Sequence, residues 1–262
     1  MRPTYRVLGT ALILIAGLSL VRTLCAQQDG GTADQSTMGA MAGKNDMQKE
    51  DSEHGFPHPF LAHMGISDMP GMVSLRASGY RQYMADNLSL TDFAFHLEAG
   101  LFPRLGLHVR NDDIRQDPRT DIMLTYTFIE NQSGDSGLSV FGAVEVPSGA
   151  IPMGEDKVVG AFGVSGRKVF GDMAIVDADV HYMPQMKMAE YEVSLMLKAS
   201  TGFFPVIEAG GETMEGETSL YVLPGLKFKL AKGKFLGVGT QIGLTSMRDF
   251  DTRVLLQLDM DW

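Results

Sequence analysis

From Met72 to the C-terminus, apolar and polar residues alternate with a period of two in segment after segment. In the closing stretch RVLLQLDMDW, Val254, Leu256, Leu258, Met260 and Trp262 share one parity, and Arg253, Gln257, Asp259 and Asp261 the other. Leu255 is the one apolar residue on the polar side. A β-strand sends successive side chains to opposite faces, so such a segment has one face in an apolar medium and one in water. The same pattern recurs upstream. Phe93, Phe95, Leu97 and Ala99 oppose His96 and Glu98, and Leu105, Leu107 and Val109 oppose His108 and Arg110. Val176, Ala178 and Val180 oppose Asp177, Asp179 and His181, while Tyr191, Val193 and Leu197 oppose Glu190, Glu192 and Lys198. Leu226, Phe228 and Leu230 oppose Lys227 and Lys229. The segment GFFPVIEAG is apolar without alternation and is the least regular strand.

Stretches rich in Gly, Pro, Asn and Asp, such as NQSGDSG and GGETMEGE, separate these runs as turns. The count is about twelve strands of roughly ten residues, the length and even parity of an antiparallel transmembrane β-barrel. Charges at mid-strand would cost several kcal/mol each in a dry sandwich core but little in a wet lumen. The charged parity is therefore expected to line the lumen: His96, Glu98, His108, Arg110, Asp177, Asp179, His181, Glu190, Glu192, Lys198, Lys227, Lys229, Arg253, Gln257 and Asp259.

Residues 1–26 read as a secretory signal peptide: Arg2 and Arg6, then an apolar run from Val7 to Val21, then small residues near Ala26. This implies export and, with the barrel, location in the outer membrane in contact with its lipids. Residues 27–71 read as a flexible tail, and HPFLAHMGISDMPGM within it is apolar enough to fold onto the barrel mouth as a plug or lid. The tail gathers Met38, Met41, Met47, His54, His58, His63, Met64 and Met69. Thioether and imidazole ligands suit copper, so capture of Cu or another transition metal is the candidate chemistry there, against a plain linker. Residues 72–262 form the barrel.

The composition narrows the function. A net charge of −10 argues against a nucleic-acid partner. Motifs of catalysis such as GxSxG and HExxH do not occur, so no enzyme activity, catalytic residue or required cofactor is expected. Two roles stand: a channel or transport-associated barrel for small solutes or metal ions, or a non-channel metal-binding barrel. Neither specifies an oligomeric state.

The segment YVLPGLKFKLAKGKFLGVGTQIGLTSMRDFDTRVLLQLDMDW resembles the C-terminal end of bacterial outer-membrane barrels grouped with the MetA-pathway phenol-degradation transporters. There a PG strand, a Gly-rich strand and an RDFD-like turn precede the last strand. The Met/His tail resembles, in composition only, that of copper-resistance outer-membrane proteins. The first resemblance implies a transport role and supplies no catalytic residues.

Overall fold

The computed structural model describes residues 56–63, 65–84, 88–114, 119–147, 157–245 and 250–262. Met38, Met41, Met47, His54 and Met64, and the signal-like segment, lie outside them. The described chain from Val73 forms twelve strands: β1 Val73–Tyr83, β2 Ser89–Phe102, β3 Leu105–Asn111, β4 Arg119–Glu130, β5 Gly137–Pro147, β6 Val159–Phe170, β7 Ala174–Met183, β8 Met188–Leu197, β9 Phe203–Met214, β10 Glu217–Ala231, β11 Lys234–Gly243 and β12 Thr252–Asp261. Each pairs antiparallel with its sequence neighbours. β1 also pairs with β12, from Ser74 opposite Asp261 to Tyr83 opposite Thr252, so the sheet closes into a barrel with no free edge.

The outer surface is a belt of Leu97, Ile122, Leu124, Tyr126, Phe128, Val140, Phe162, Val164, Ile207, Val238 and Leu256, all exposed. A contiguous apolar surface of this extent is stable against lipid and not against water. The barrel is of the outer-membrane type, with Trp262 exposed at its rim. At one end the strands are joined by 103–104, 131–136, 171–173, 198–202 and 232–233. At the other they are joined by 84–88, 112–118, 148–158, 184–187, 215–216 and 244–251, which include the three longest connections. Short turns mark the periplasmic end and longer loops the outer end.

The interior is not an open tube. Residues preceding β1 enter it from the periplasmic end and return by the same end. Phe56 packs on Phe204 near the start of β9, with ring centroids 5.9 Å apart, and His58 bonds Asp261, the last residue of β12. The chain climbs until His63 meets Arg110 near the outer end of β3. It then descends past Asp177 and Thr127 to a bridge between Pro70 and Gly100 and leads into β1. The part of the expected flexible tail that is described is thus a re-entrant plug. It accounts for two irregularities of the sequence pattern. Leu255 faces inward because it packs in the core formed around Phe60, and β9 is apolar on both faces because Phe204 and Val206 join that core while Ile207 faces lipid.

Candidate functional site

The plug has no regular secondary structure, so its buried N–H and C=O groups need partners from elsewhere. The lumen face of the barrel supplies them. Glu208, at the middle of β9, accepts from three successive backbone N–H groups, those of Phe60 (2.5 Å), Leu61 (2.8 Å) and Ala62 (3.4 Å). Asp179 accepts from the N–H of His63 at 3.2 Å, Asp177 from Gly65 at 3.1 Å, and Thr127 from Ser67 at 3.0 Å. Hydrogen bonds to a charged acceptor contribute about 1.5–3 kcal/mol each.

Cations and hydroxyls serve the plug carbonyls. Arg76 of β1 donates to Pro59 O (3.3 Å) and Ala62 O (3.5 Å), and Lys227 of β10 to Pro59 O (3.3 Å). Gln257 donates to Phe60 O, and Ser139 and Ser165 to Gly65 O. These donors are themselves held. Arg76 is paired with Glu98, and Lys227 bonds Asp259 at 2.7 Å and Gln257 at 2.9 Å. Every one of these side chains is on the lumen parity, which is why the barrel can present them at fixed heights.

Two close approaches fix the plug's position. The Phe60 ring lies in a slot where β10 and β11 carry Gly225, Gly237 and Gly239. A Cβ at Gly225 would stand 2.4 Å from that ring, and one at Gly237 2.8 Å. Lys227 Nζ covers the same ring at 4.5 Å from its centroid. On the returning arm, Gly65 lies against the backbone of β6, where a Cβ would meet the Gly166 carbonyl carbon at 2.0 Å. Only glycine permits these contacts.

Above the plug tip the lumen holds a small cleft of about 50 Å³. His63 and Phe141 form part of its floor, Met123, Val159, Ala161 and Met183 an apolar wall, and Arg110, Asp121, Glu145, His181 and Glu190 a charged one. The charges are paired across strands: Arg110 with Asp121 at 2.8 Å, Arg119 with Glu145 at 2.6 Å, and His181 with Glu190 at 3.1 Å.

The plug's own titratable groups are tuned by where they sit. Burial, reinforced by the charges of Arg110, His108 and His181, drives His63 well below the usual histidine value. Its ring is therefore neutral and Nε2 accepts from Arg110 at 2.9 Å. Burial also lowers His58, but its bond to Asp261 and the charges of Glu98 and Asp261 outweigh that and raise it. Asp68 is raised to about 6 by burial and by the charge of Glu98.

The structure places most of the lumen candidates in this assembly. Asp177, Asp179 and Lys227 touch the plug backbone through side chains; Gln257 does the same, Glu98 and Asp259 hold the donors, and Arg110 holds His63. His181 and Glu190 line the cleft, His96 bonds Asp112 at 2.6 Å, and His108 lies 3.8 Å from Glu98. Glu192 is bonded by the Tyr221 hydroxyl. Arg253 sits among Gln82, Gln241 and the Tyr80 ring. Two candidates fall outside the enclosed lumen: Lys198 follows the end of β8, and Lys229 is exposed where a register shift breaks the parity of β10. Both sit at the rim, where an ammonium keeps its water. Ser194 donates to Glu208. Of the metal candidates, His58 and His63 engage different walls, and Met69 is exposed. Among the described residues, no group of three or more His, Cys, Asp or Glu is placed to hold a metal ion.

The sequence reading missed Glu208, Arg76, Thr127, Ser139 and Ser165, because the first lies in the non-alternating run and the others are too ordinary to stand out. The glycines of β10 and β11 were the visible signal. Their purpose becomes clear only when Phe60 is in place.

No protein-family model matches this sequence, and no curated protein does. Solved structures match in fold. The chain is similar to an outer-membrane channel from Pseudomonas putida F1, at 13% identity and a TM-score of 0.52, with 76% of this chain and 98% of that one covered. It also matches the KdgM porin in complex with disordered oligogalacturonate (13% identity, TM-score 0.48, 72% and 98% covered) and the NanC porin (6%, 0.49, 71% and 97%). At these identities the match to the Pseudomonas channel establishes the fold alone: a closed outer-membrane barrel.

Proposed function

We propose that this protein is an outer-membrane channel for small solutes, closed from the periplasmic side by residues 56–70, and that conduction requires this segment to leave its seat. The observation that carries the reading is the division of the lumen. The outer half holds a small cleft lined by part-buried charges, and the inner half is filled by a segment whose backbone is bonded by lumen side chains from Glu208 to Ser165. The fold shared with the Pseudomonas putida channel supports it. So does the resemblance of the C-terminal strands to the phenol-degradation transporter group. The cleft favours a small solute with one apolar edge, for Met123, Val159 and Met183, and one polar group, for Arg110 or Glu190. Residues 1–26 would direct export as a signal peptide.

Single-channel recording of the purified full chain in planar bilayers tests this. The wild type should be closed for most of the record. Gly237→Leu, which fills the slot of the Phe60 ring, should raise the open fraction severalfold. Equal records from the two proteins would contradict the reading.

A further inference from the structure

Among the described residues, three carboxylates on adjoining strands have no cation at hydrogen-bond distance, the nearest being His181, 3.9 Å from Asp179. Asp179 stands directly opposite Glu192 across β7 and β8, and Glu208 lies one diagonal step away on β9, beside Ser194. Directly opposed strand residues have Cβ atoms about 4.5–5.5 Å apart, and diagonal ones about 7–8 Å. Among the described groups around them, the cations are engaged elsewhere: Arg167 with Asp177, Lys227 with Asp259, and His181 with Glu190 at hydrogen-bond distance. Glu208 is satisfied by the N–H groups of Phe60, Leu61 and Ala62, and one oxygen of Asp179 by the N–H of His63. The other oxygen, Asp179 Oδ1, is buried without a hydrogen-bond partner, and His181 Nδ1 is 3.9 Å from it.

The plug's N–H dipoles therefore occupy positions that a positive charge would fill. When residues 56–70 withdraw, Glu208 loses three donors and Asp179 loses the N–H of His63. A carboxylate that has lost its donors is relieved by water, a proton or a cation, so the vacated wall attracts cations and repels anions.

We infer that the opened lumen is cation-selective and that Asp179, Glu192 and Glu208 form the subsite that draws in alkali ions or solutes bearing an ammonium group. This rests on the reading of residues 56–70 as a displaceable closure. It also gives the closure a logic. The plug seals the pore by offering the cation site a neutral substitute, which cannot itself pass through.

The test uses the full chain carrying Gly237→Leu, recorded across a potassium chloride gradient and then across an ethylammonium chloride gradient. Potassium or ethylammonium should permeate severalfold better than chloride. Which of the two leads tells alkali ions from ammonium solutes. In that background Glu208→Gln should bring the cation-to-anion permeability ratio most of the way to one, Asp179→Asn should lower it less, and Glu208→Asp should keep it. Heat-modifiable gel mobility shows that each barrel has assembled. A channel that opens but favours chloride, or one whose ratio ignores Glu208→Gln, would overturn the cation site and leave the closure intact. No conduction by Gly237→Leu would overturn both.

Discussion

The inner and outer halves of the lumen are built from the same strands and the same charged parity, yet they are in opposite states. In the inner half, Arg76 and Lys227 are fully buried, each paired with a carboxylate and each donating to a plug carbonyl. In the outer half, Arg110 and Arg119 are part-buried and pair with carboxylates along the wall of the cleft. The charges alone do not make the difference. It comes from a short segment with three prolines and two phenylalanines that fills one half and turns back at His63. A charged lumen can thus be a solvated pore or a dry polar core, depending on whether the chain supplies its own ligand.

The sharpest way to break the comparison is to remove equivalent cations from the two halves. Arg76→Met takes from buried Glu98 its hydrogen-bonded counter-charge, leaving only His58 and His108 at 3.9 and 3.8 Å, and removes two bonds to the plug, so it should cost about 3–5 kcal/mol. Arg119→Met, in the wetter half, should cost about 1 kcal/mol or less. Thermal midpoints from heat-modifiable mobility compare the two. Equal losses would mean that the halves are not in different environments.

The outside of the barrel sharpens the contrast in another direction. Leu256 is 56% exposed and Gln257 1%. Leu256→Arg should impair assembly by about 2–4 kcal/mol if it lies near the bilayer midplane. Gln257→Arg should assemble but place a second cation beside Lys227 and lose the bond to Phe60 O, so its defect should be an unseated plug. Folding yield reads the first and channel recording the second.

The smallest effect is protonation. His63 has a seated value well below its free value near 6.5, so its contribution to seating is complete above that pH and is lost as pH falls below it. The loss is about 1.4 kcal/mol per pH unit until the seated value is reached. The groups facing it are Arg110, His108 and His181 with Asp179 beneath. Asp68 and His58, both raised, act in the opposite sense and favour seating at acid pH. His63→Gln removes only the first effect. Below pH 6.5 the open fraction of the wild type should therefore rise above that of the variant by a widening margin. Parallel profiles would show that His63 does not feel the seat.

How far the sequence speaks can be seen residue by residue. Alternation around Asp177, Asp179 and His181, or Leu256 and Gln257, is a local property of a strand with unlike surroundings, so it can be read from one chain. The twelve strands and their closure follow from repeating it. Leu255 and the GFFPVIEAG run looked like noise because their apolar partners, Phe60 and Phe56, are far away in sequence. Glu208 was hidden for the same reason. Its partners are backbone N–H groups, and a backbone N–H leaves no mark on the sequence. The metal reading of His58 and His63 rested on composition. Their rings bond Asp261 and Arg110, contacts that only the re-entrant path creates.

The central claim is that residues 56–70 sit inside the barrel and close it. Ala62 is fully buried beneath the tip, with its N–H on Glu208. The most direct measurement is the reaction of an Ala62→Cys protein, assembled in lipid, with a charged, membrane-impermeant thiol reagent, followed by mass spectrometry of the peptide containing position 62. The account predicts that the site is protected in the otherwise wild-type chain and reacts rapidly once Gly237→Leu is added. Rapid labelling without Gly237→Leu would show that the segment does not occupy the lumen, and would contradict the account.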